Sequence, residues 1–260
     1  MRRARGVESR SMRTKAEKGT SLPAEIVDKI RAFCQAHADA AMVKKYSRYF
    51  VEGYDAYGVD FRIPEYDAQR KQWLARLKAA GPEAILEAGD RLMQTGKYEE
   101  SACAIRFVAD SPEFHSPALF ARIGRWFEKG IVNWALCDVL CGEVLSPFLQ
   151  RGVVGPEALE PWVTSALKYQ RRAVPVTLIK PAKDGWELKP MLQLIEPLMS
   201  DGEKVVQQGV GWFLREAWKL QPKLVEVFLM KHRQTCPRLI VQYATEKMTK
   251  AGKERFRRTK

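Results

Sequence analysis

The sequence predicts an all-α fold: a single domain forming a curved solenoid of helix pairs. Apolar residues recur at helical spacing, and no Asn-Gly turn separates two alternating segments as it would in a β-hairpin. Segments rich in small and aromatic residues also recur around Cys103, Cys137, Ala173 and Gly209, at intervals of 34, 36 and 36 residues. A period of about 35–45 residues with two helices per unit is typical of HEAT-like repeats, whose stacked pairs share one core. The second helices are expected around Phe120, Trp162 and Leu194.

Local start and stop signals predict where individual helices begin and end. Ser21-Leu22-Pro23-Ala24-Glu25 is typical of a helix start, with Ser21 as N-cap and Pro in the first turn. A second helix is expected to end near Tyr49-Phe50, before a loop from Gly53 to Pro64, and Pro64-Glu65 should open the next helix. Two similar segments each end one helix and start another: Gly81-Pro82-Glu83 and Gly155-Pro156-Glu157.

The chain is expected to comprise three regions: a disordered basic arm over 1–20, the helical domain over 21–249 and a basic tail over 250–260. The net charge is +13, yet residues 1–20 hold seven Lys or Arg against two Glu, and residues 247–260 hold seven against one. The two ends therefore carry +5 and +6, and the rest of the chain only +2. This distribution favours two basic tails, which either solubilise the chain or bind a polyanion, over a basic fold. Both ends, the second from about Lys250, have too little apolar surface to offset the entropy cost of ordering.

The sequence favours a cytoplasmic protein. No apolar stretch approaches the ~20 residues that a membrane helix needs, and the N-terminus lacks the apolar segment of a secretory signal. The five cysteines are odd in number and form no CxxC pair, as expected for a reducing compartment. Cys137 and Cys141 share a helix face and are expected to be small buried thiols rather than metal ligands.

The motifs of the common enzyme classes are missing from the sequence. It contains no Walker-type loop, no HExxH and no GxSxG, and its three histidines, His37, His115 and His232, are isolated. A helical repeat protein without such motifs is often a binding scaffold, so a protein-interaction scaffold is one function that the sequence leaves open.

One recurring helix carries an unusual carboxylate. Trp134 and Asp138 are four residues apart and therefore share a helix face, in a segment otherwise lined by Leu, Cys and Val. A carboxylate on an apolar helix face needs a partner. Asp138 is either a functional group or one half of a salt bridge to Arg172 that locks two repeats together.

The next two repeats place cations and an indole at the matching level. Arg171 and Arg172 come one repeat after Asp138, and Trp212 and Arg215 follow one repeat later, three residues apart. If these helices are adjacent, two indoles flank a carboxylate with arginines nearby. A fixed carboxylate and indole faces can stabilise the positive charge that develops on a sugar when its glycosidic bond breaks. An alkylated, cationic purine is already a good leaving group, so no general acid is needed, and the carboxylate can orient the attacking water.

These residues resemble those of the AlkD-like family of bacterial HEAT-repeat DNA glycosylases, over most of residues 45–245. The family's Trp-x-x-x-Asp element is similar to Trp134 and Asp138, and its Gln-Arg-Ala helix is similar to Gln170–Ala173, with Arg172 in better register than Arg171. Further similarities are Gly211-Trp212 with Leu214-Arg215-Glu216, and the early segment from Tyr49 through Tyr57-Gly58-Val59 to Ile63-Pro64-Glu65. The chain departs from the family at Asn133, where a second Trp is common, and in a longer loop over 51–63.

The resemblance implies a DNA repair glycosylase that excises N3- and N7-alkylated purines from duplex DNA without base flipping. It implies Asp138, Trp134 and Trp212 as catalytic residues, and neither metal nor cofactor. Arg172, Arg215, Arg171 and Tyr49 would contact DNA, with the arginines on phosphates, which position a duplex without reading its sequence. The expected protein is a nucleoid-associated monomer that binds alkylated double-stranded DNA and no membrane. A non-catalytic DNA-structure binder on the same scaffold is the other alternative.

Overall fold

The computed structural model describes residues 20–257, and in that part of the chain the fold is all-α. Its α-helices are α1 (Leu22–Ala36), α2 (Ala40–Ser47), α3 (Pro64–Ala80), α4 (Pro82–Met93), α5 (Tyr98–Ala109), α6 (Pro117–Gly124), α7 (Trp134–Leu140), α8 (Ser146–Gln150), α9 (Glu160–Val163), α10 (Lys168–Thr177), α11 (Ile179–Lys183), α12 (Leu188–Ile195), α13 (Lys204–Leu220), α14 (Pro222–His232), α15 (Arg238–Ala244) and α16 (Lys250–Glu254). Short 3₁₀ turns lie between several of them, and a π-helical segment, Cys141–Leu145, joins α7 to α8. Within residues 20–257 no β-strand forms, which confirms the prediction that the fold is all-α.

The predicted helix starts at Ser21, Pro64 and Pro82 are confirmed, whereas Pro156 begins a 3₁₀ turn, Pro156–Leu159, that precedes α9. The Ser21 hydroxyl accepts a hydrogen bond from the Ala24 backbone N–H at 3.4 Å and caps α1, and α3 begins at Pro64. Gly81 ends α3 and precedes α4 with a φ of 97°, a conformation that residues with a side chain rarely adopt. The second helix is shorter than predicted: α2 ends at Ser47, and the loop that follows runs to Ile63.

Five helices lie side by side in chain order. Helix α5 packs against α7, α7 against α10, α10 against α13 and α13 against α15. The four predicted recurring segments lie in the first four of these helices. Helix α13 can approach both neighbours closely because it presents glycines to them: a Cβ on Gly209 would lie 3.1 Å from Arg172 Cγ, and one on Gly211 would overlap Tyr243 Cβ.

A ladder of side-chain donors joins the α7–α8 segment to α10. The thiols of Cys137 and Cys141 donate to the carbonyl oxygens of Tyr169 and Ala173 at 3.3 and 3.7 Å, and the Ser146 hydroxyl donates to the Thr177 carbonyl at 2.7 Å. The acceptors are four residues apart throughout, whereas the donors step by four and then by five. The π turn supplies the extra residue, because its hydrogen bonds span five residues instead of four. The two thiols are buried, as predicted.

The C-terminal segment differs from the prediction of disorder after about Lys250. Residues Lys250–Glu254 form α16, capped by the Thr249 hydroxyl, and the Phe256 side chain is 2% exposed within the core. The few apolar residues of this segment are enough because Met248 and Phe256 both reach a core that already exists. The predicted disordered arm over 1–20 lies, except for its last residue, outside the described part of the chain. No helix of the described residues is long and apolar enough to cross a membrane.

Candidate active site

The centre of the candidate site is an ion pair between α7 and α10. The Arg172 guanidinium donates through Nε to Asp138 Oδ1 and through Nη2 to Oδ2, both at 2.8 Å. Its third nitrogen, Nη1, donates to the Val205 carbonyl oxygen at the start of α13, at 2.5 Å. The Arg172 side chain is 6% exposed and that of Asp138 is 16% exposed. The pair therefore connects three neighbouring helices and leaves part of the Asp138 side chain accessible to solvent.

Burial and pairing act in opposite directions on these two groups. Burial raises the pKa of Asp138 above the usual range of an aspartate, and the bonds from Arg172 limit that rise. Burial also disfavours the charged guanidinium, but Asp138 outweighs it and raises the pKa of Arg172. With two hydrogen bonds to a guanidinium, Asp138 is held as an anion at neutral pH. It can stabilise a nearby positive charge, and it has no proton to donate.

Trp134 lies one helical turn before Asp138 and is the exposed indole of the site. Its side chain is 40% exposed, its Nε1 donates to the Tyr49 carbonyl oxygen at 3.3 Å, and its ring stacks on Phe50 with centroids 5.5 Å apart. Asn133 is the position at which the AlkD-like family often has a second Trp, and here it is fully buried. Its side-chain oxygen caps α7 by accepting a hydrogen bond from the Leu136 backbone N–H at 2.9 Å. The Asn residue therefore fixes the start of the helix that presents Trp134 and Asp138.

Residues 49–54, hereafter the strap, cross from α2 to α7 and α10. The Asn133 amide donates to the Gly53 carbonyl oxygen at 2.8 Å, and a Cβ on Gly53 would overlap the Val132 carbonyl oxygen. On the other side, Glu52 forms an ion pair with Lys168 and accepts from the Tyr169 hydroxyl at 3.2 Å. The strap is thus anchored beside α7 and to α10, and it contacts the Trp134 indole through Tyr49 and Phe50.

Trp212 and Arg215 lie on α13, and among the described residues no hydrogen bond or salt bridge joins either of them to Asp138 or Arg172. Gly209, one turn before Trp212, packs against the Arg172 side chain, and Trp212 is half-buried against the core. Arg215 Nε donates to Glu216 Oε1 at 3.2 Å, and its Nη1 forms an ion pair with Glu246.

The other two predicted DNA contacts differ in accessibility. The Arg171 guanidinium binds Asp201 through Nε at 2.6 Å and the Ser165 carbonyl oxygen through Nη1 at 2.7 Å, so it links α10 to the segment before α13. Tyr49, in contrast, is 56% exposed, with its hydroxyl accepting from Arg48 at 2.9 Å. The structure brings Asp138, Arg172, Trp134 and the Tyr49 backbone together, while Arg171 and Arg215 are held by carboxylates beside them.

Sequence patterns missed three groups that shape the site: Phe50, Glu52 and Asp201. The strap residues lie 80 or more positions from their partners on α7 and α10, so no local spacing could relate them. Asp201 lies 30 residues after Arg171, close to the 34 residues that separate Asp138 from Arg172, and this spacing was a usable signal for Asp201. Among the described residues, no group of three or more His, Cys, Asp and Glu side chains is arranged to hold a metal ion.

Comparisons with known proteins agree with one another. A family model for the DNA alkylation repair enzyme family matches residues 30–248. A solved structure described as a predicted DNA alkylation repair enzyme from Enterococcus faecalis superposes with a TM-score of 0.70 at 15% sequence identity, covering 82% of this chain and 98% of that one. At this identity the structure supports the fold alone. A comparison with curated protein sequences gives no match.

Proposed function

The chain belongs to the DNA alkylation repair enzyme family, and from that premise we propose that it is a DNA glycosylase for cationic alkylated purines. The proposed reaction is hydrolysis of the N-glycosidic bond of N3- and N7-alkylated purines, with the lesion remaining in the duplex. The observation that carries this proposal is Asp138: an anionic carboxylate, partly accessible, one helical turn from an exposed indole.

The proposed chemistry needs electrostatic stabilisation and no proton donor. As the bond between the sugar and the cationic base breaks, the electron pair leaves with the base, which becomes neutral, and the positive charge moves to the deoxyribose. Asp138 and the face of Trp134 not stacked on Phe50 can stabilise that charge, and Trp212 would contribute a second indole. Water oriented by Asp138 then forms a bond to the sugar carbon and releases its proton to the solvent, so that the products are the neutral base and the sugar hydroxyl.

Arg172 supports this role by holding the carboxylate in place. Both Asp138 oxygens are hydrogen-bonded, which fixes their orientation before substrate arrives and removes the cost of reorganising them during the reaction. The buried guanidinium also keeps the carboxylate charged in a site whose burial favours the neutral acid. In the proposed complex Arg172 is therefore a positioning residue first, and any phosphate contact is secondary to its bonds to Asp138.

The proposed DNA surface follows the row α5–α7–α10–α13–α15. We infer that the helix pairs form a curved HEAT-like solenoid and that this row lines its concave face, where a duplex would lie. Tyr49 is the predicted contact that can reach a phosphate most directly, because it is exposed. Arg215 would have to exchange its bond to the half-exposed Glu246 for a phosphate. Arg171 would have to exchange Asp201 for a phosphate. We expect a cytoplasmic, nucleoid-associated monomer.

A second candidate function is suggested by the ion pair itself. If the bonds between Asp138 and Arg172 serve only to lock α7 to α10, the protein would be a DNA-structure binder without catalysis. One assay separates the two: incubation of the full chain with methylated duplex DNA, followed by detection of free 3-methyladenine and 7-methylguanine. Release above the spontaneous rate supports the glycosylase, and DNA binding without release at saturating protein supports the binder.

A further inference from the structure

An aromatic cavity lies beside the candidate active site, between α2 and the loop that follows it. Its volume is about 460 Å³, and Trp134 forms one edge of it. The other rings that line it are Tyr46, Tyr49, Phe50, Tyr54, Phe61 and Tyr98. We refer to these seven rings and the space between them as the aromatic cavity. Two of them, Tyr54 and Phe61, belong to the loop over 51–63 that is longer than in the AlkD-like family.

Several of these rings present parallel faces. Phe50 stacks on Tyr54 with centroids 4.5 Å apart and planes 8° from parallel, and on Trp134 at 5.5 Å and 19°. Tyr46 and Tyr49 are 36% and 56% exposed, far more than large aromatic side chains in a core. Within the described part of the chain, the hydroxyls of Tyr54 and Tyr98 have no hydrogen-bonding partner, so both are free to meet polar edges of a ligand.

Two cations stand against the rings at the mouth of the cavity. Lys45 Nζ lies 5.3 Å from the Tyr46 ring centroid, and the Arg48 guanidinium lies 4.9 Å from that of Tyr49. Neither side chain forms an ion pair with any carboxylate of residues 20–257.

Two acidic residues line the cavity, and both already have partners. Asp60 is held by Arg62 through two side-chain bonds at 2.8 and 2.7 Å. Glu99 is buried and accepts hydrogen bonds from backbone N–H groups of the loop, those of Tyr57, Gly58 and Val59. The mouth is therefore positively charged and the interior is aromatic.

We propose that the aromatic cavity binds one unpaired nucleotide of the DNA, with its base among the rings and its phosphate at Lys45 and Arg48. Aromatic faces accept any base by stacking, and adjacent cations neutralise the phosphate, which together are the features of sites for single-stranded nucleic acid. This proposal rests on the proposed function only in requiring DNA along the neighbouring helix row. It concerns a base next to the lesion or opposite a defect, not the alkylated purine itself.

The energetics favour bases that are already unpaired. Extracting a base from an intact duplex costs stacking and pairing energy, and that cost is smallest at a bulge or mismatch. The cavity should therefore add little affinity for a perfect duplex and a clear preference for a duplex with a single-nucleotide bulge. One base stacked on protein aromatics typically accounts for about a tenfold difference in affinity.

The test uses two undamaged duplexes that differ only in one bulged 2-aminopurine, so that no excision can occur. We expect the full chain to bind the bulged duplex about tenfold more tightly than the paired one. We also expect the 2-aminopurine fluorescence to fall on binding, because the base becomes stacked. Equal affinity for the two duplexes, or unchanged fluorescence at saturation, would overturn the proposal.

Matched variants assign the effect to the cavity. Tyr46→Ala removes an exposed ring and should abolish most of the bulge preference, whereas Tyr46→Phe keeps the ring and should retain it. Neutralising the mouth with Lys45→Gln and Arg48→Gln should weaken bulge binding more than Lys189→Gln with Lys223→Gln, two exposed lysines on α12 and α14. A bulge preference that survives in folded Tyr46→Ala, or an equal loss in both charge variants, would place the binding elsewhere.

The test of the aromatic cavity and the test of the glycosylase activity can fail independently. A bulge preference that depends on Tyr46, without release of methylated bases, would leave the aromatic cavity as proposed and refute the glycosylase. Release of methylated bases by a protein that binds both undamaged duplexes equally would do the reverse.

Discussion

Replacing Asp138 by Asn tests the catalytic proposal most directly, because it keeps the shape of the side chain and removes its charge. Loss of one preorganised electrostatic group typically slows a reaction by about 10²–10³-fold. The same change leaves Arg172 buried without its counter-charge, and breaking a buried pair costs about 3–5 kcal/mol. Since the Asp138 side chain is 16% exposed, we expect the lower figure. For a domain of this size that corresponds to a melting temperature lower by roughly 6–12 °C.

A second ion pair on the same helix provides the matched control. Arg171 binds Asp201 through Nε at 2.6 Å, and the side chains are 17% and 7% exposed, so Asp201→Asn breaks a comparable pair that has no indole beside it. The measurements are thermal melting, affinity for an undamaged duplex and single-turnover release of 7-methylguanine, all below the lower melting temperature. We expect both variants to melt earlier and only Asp138→Asn to lose excision at saturating protein.

Two results would refute the catalytic assignment. Wild-type excision by folded Asp138→Asn would show that the charge takes no part in the reaction. Equal losses of excision in Asp138→Asn and Asp201→Asn, in proportion to their losses of stability, would show that the ion pair only holds α7 against α10.

Three further predictions follow from the same structure. On acidification, the rate of wild-type excision should begin to fall at a higher pH than the titration of an ordinary aspartate would predict, because burial raises the pKa of Asp138 and only its ionised form stabilises the sugar. A pH profile in which the rate does not fall at acidic pH would contradict this. Gly209→Ala should lower the free energy of unfolding by about 1–3 kcal/mol, because its Cβ would lie 3.1 Å from Arg172 Cγ. Denaturant titration measures this loss, with Gly202→Ala as the control because a Cβ at Gly202 meets no other atom within 4 Å. Deleting residues 1–19, which carry the +5 charge of the N-terminal arm, should weaken DNA binding and reduce its salt dependence, while excision at saturating protein persists. Loss of excision by this folded variant at saturating protein would place the active site elsewhere.

The regular part of the fold was predictable because its signals are local. The Ser21 cap, the helix starts at Pro64 and Pro82 and the recurring segments of the helix row all depend on neighbours within one or two turns. A salt bridge between Asp138 and Arg172 could also be predicted from the sequence, because the two residues lie on successive recurring helices about one repeat apart. The sequence left open whether their pairing is structural or functional, and the geometry is compatible with both.

The strap and the C-terminal helix were not predictable on the same grounds. Glu52 and Gly53 acquire their roles from Lys168, Tyr169 and Asn133, which are distant in sequence and adjacent only after the helices have packed. The segment after Lys250 is too polar to order by itself, and it folds because Phe256 finds a core formed by other residues. Such long-range contacts override local propensity, so the strap's contacts could not be inferred from the sequence and disorder after Lys250 was wrongly predicted.

The π turn at Cys141–Leu145 rotates the residues that follow it about the helix axis, within one continuous helical segment. Each residue of an α-helix rotates the chain by about 100°, so the one extra residue turns α8 relative to α7 by that amount. The half that carries Trp134 and Asp138 is held to α10 by two thiols, and the half that buries Phe148 is held by Ser146. Deleting one residue from the turn would make the helix regular, yet it would misalign one half with α10. The length of this turn is therefore fixed by the contacts that both halves make with α10.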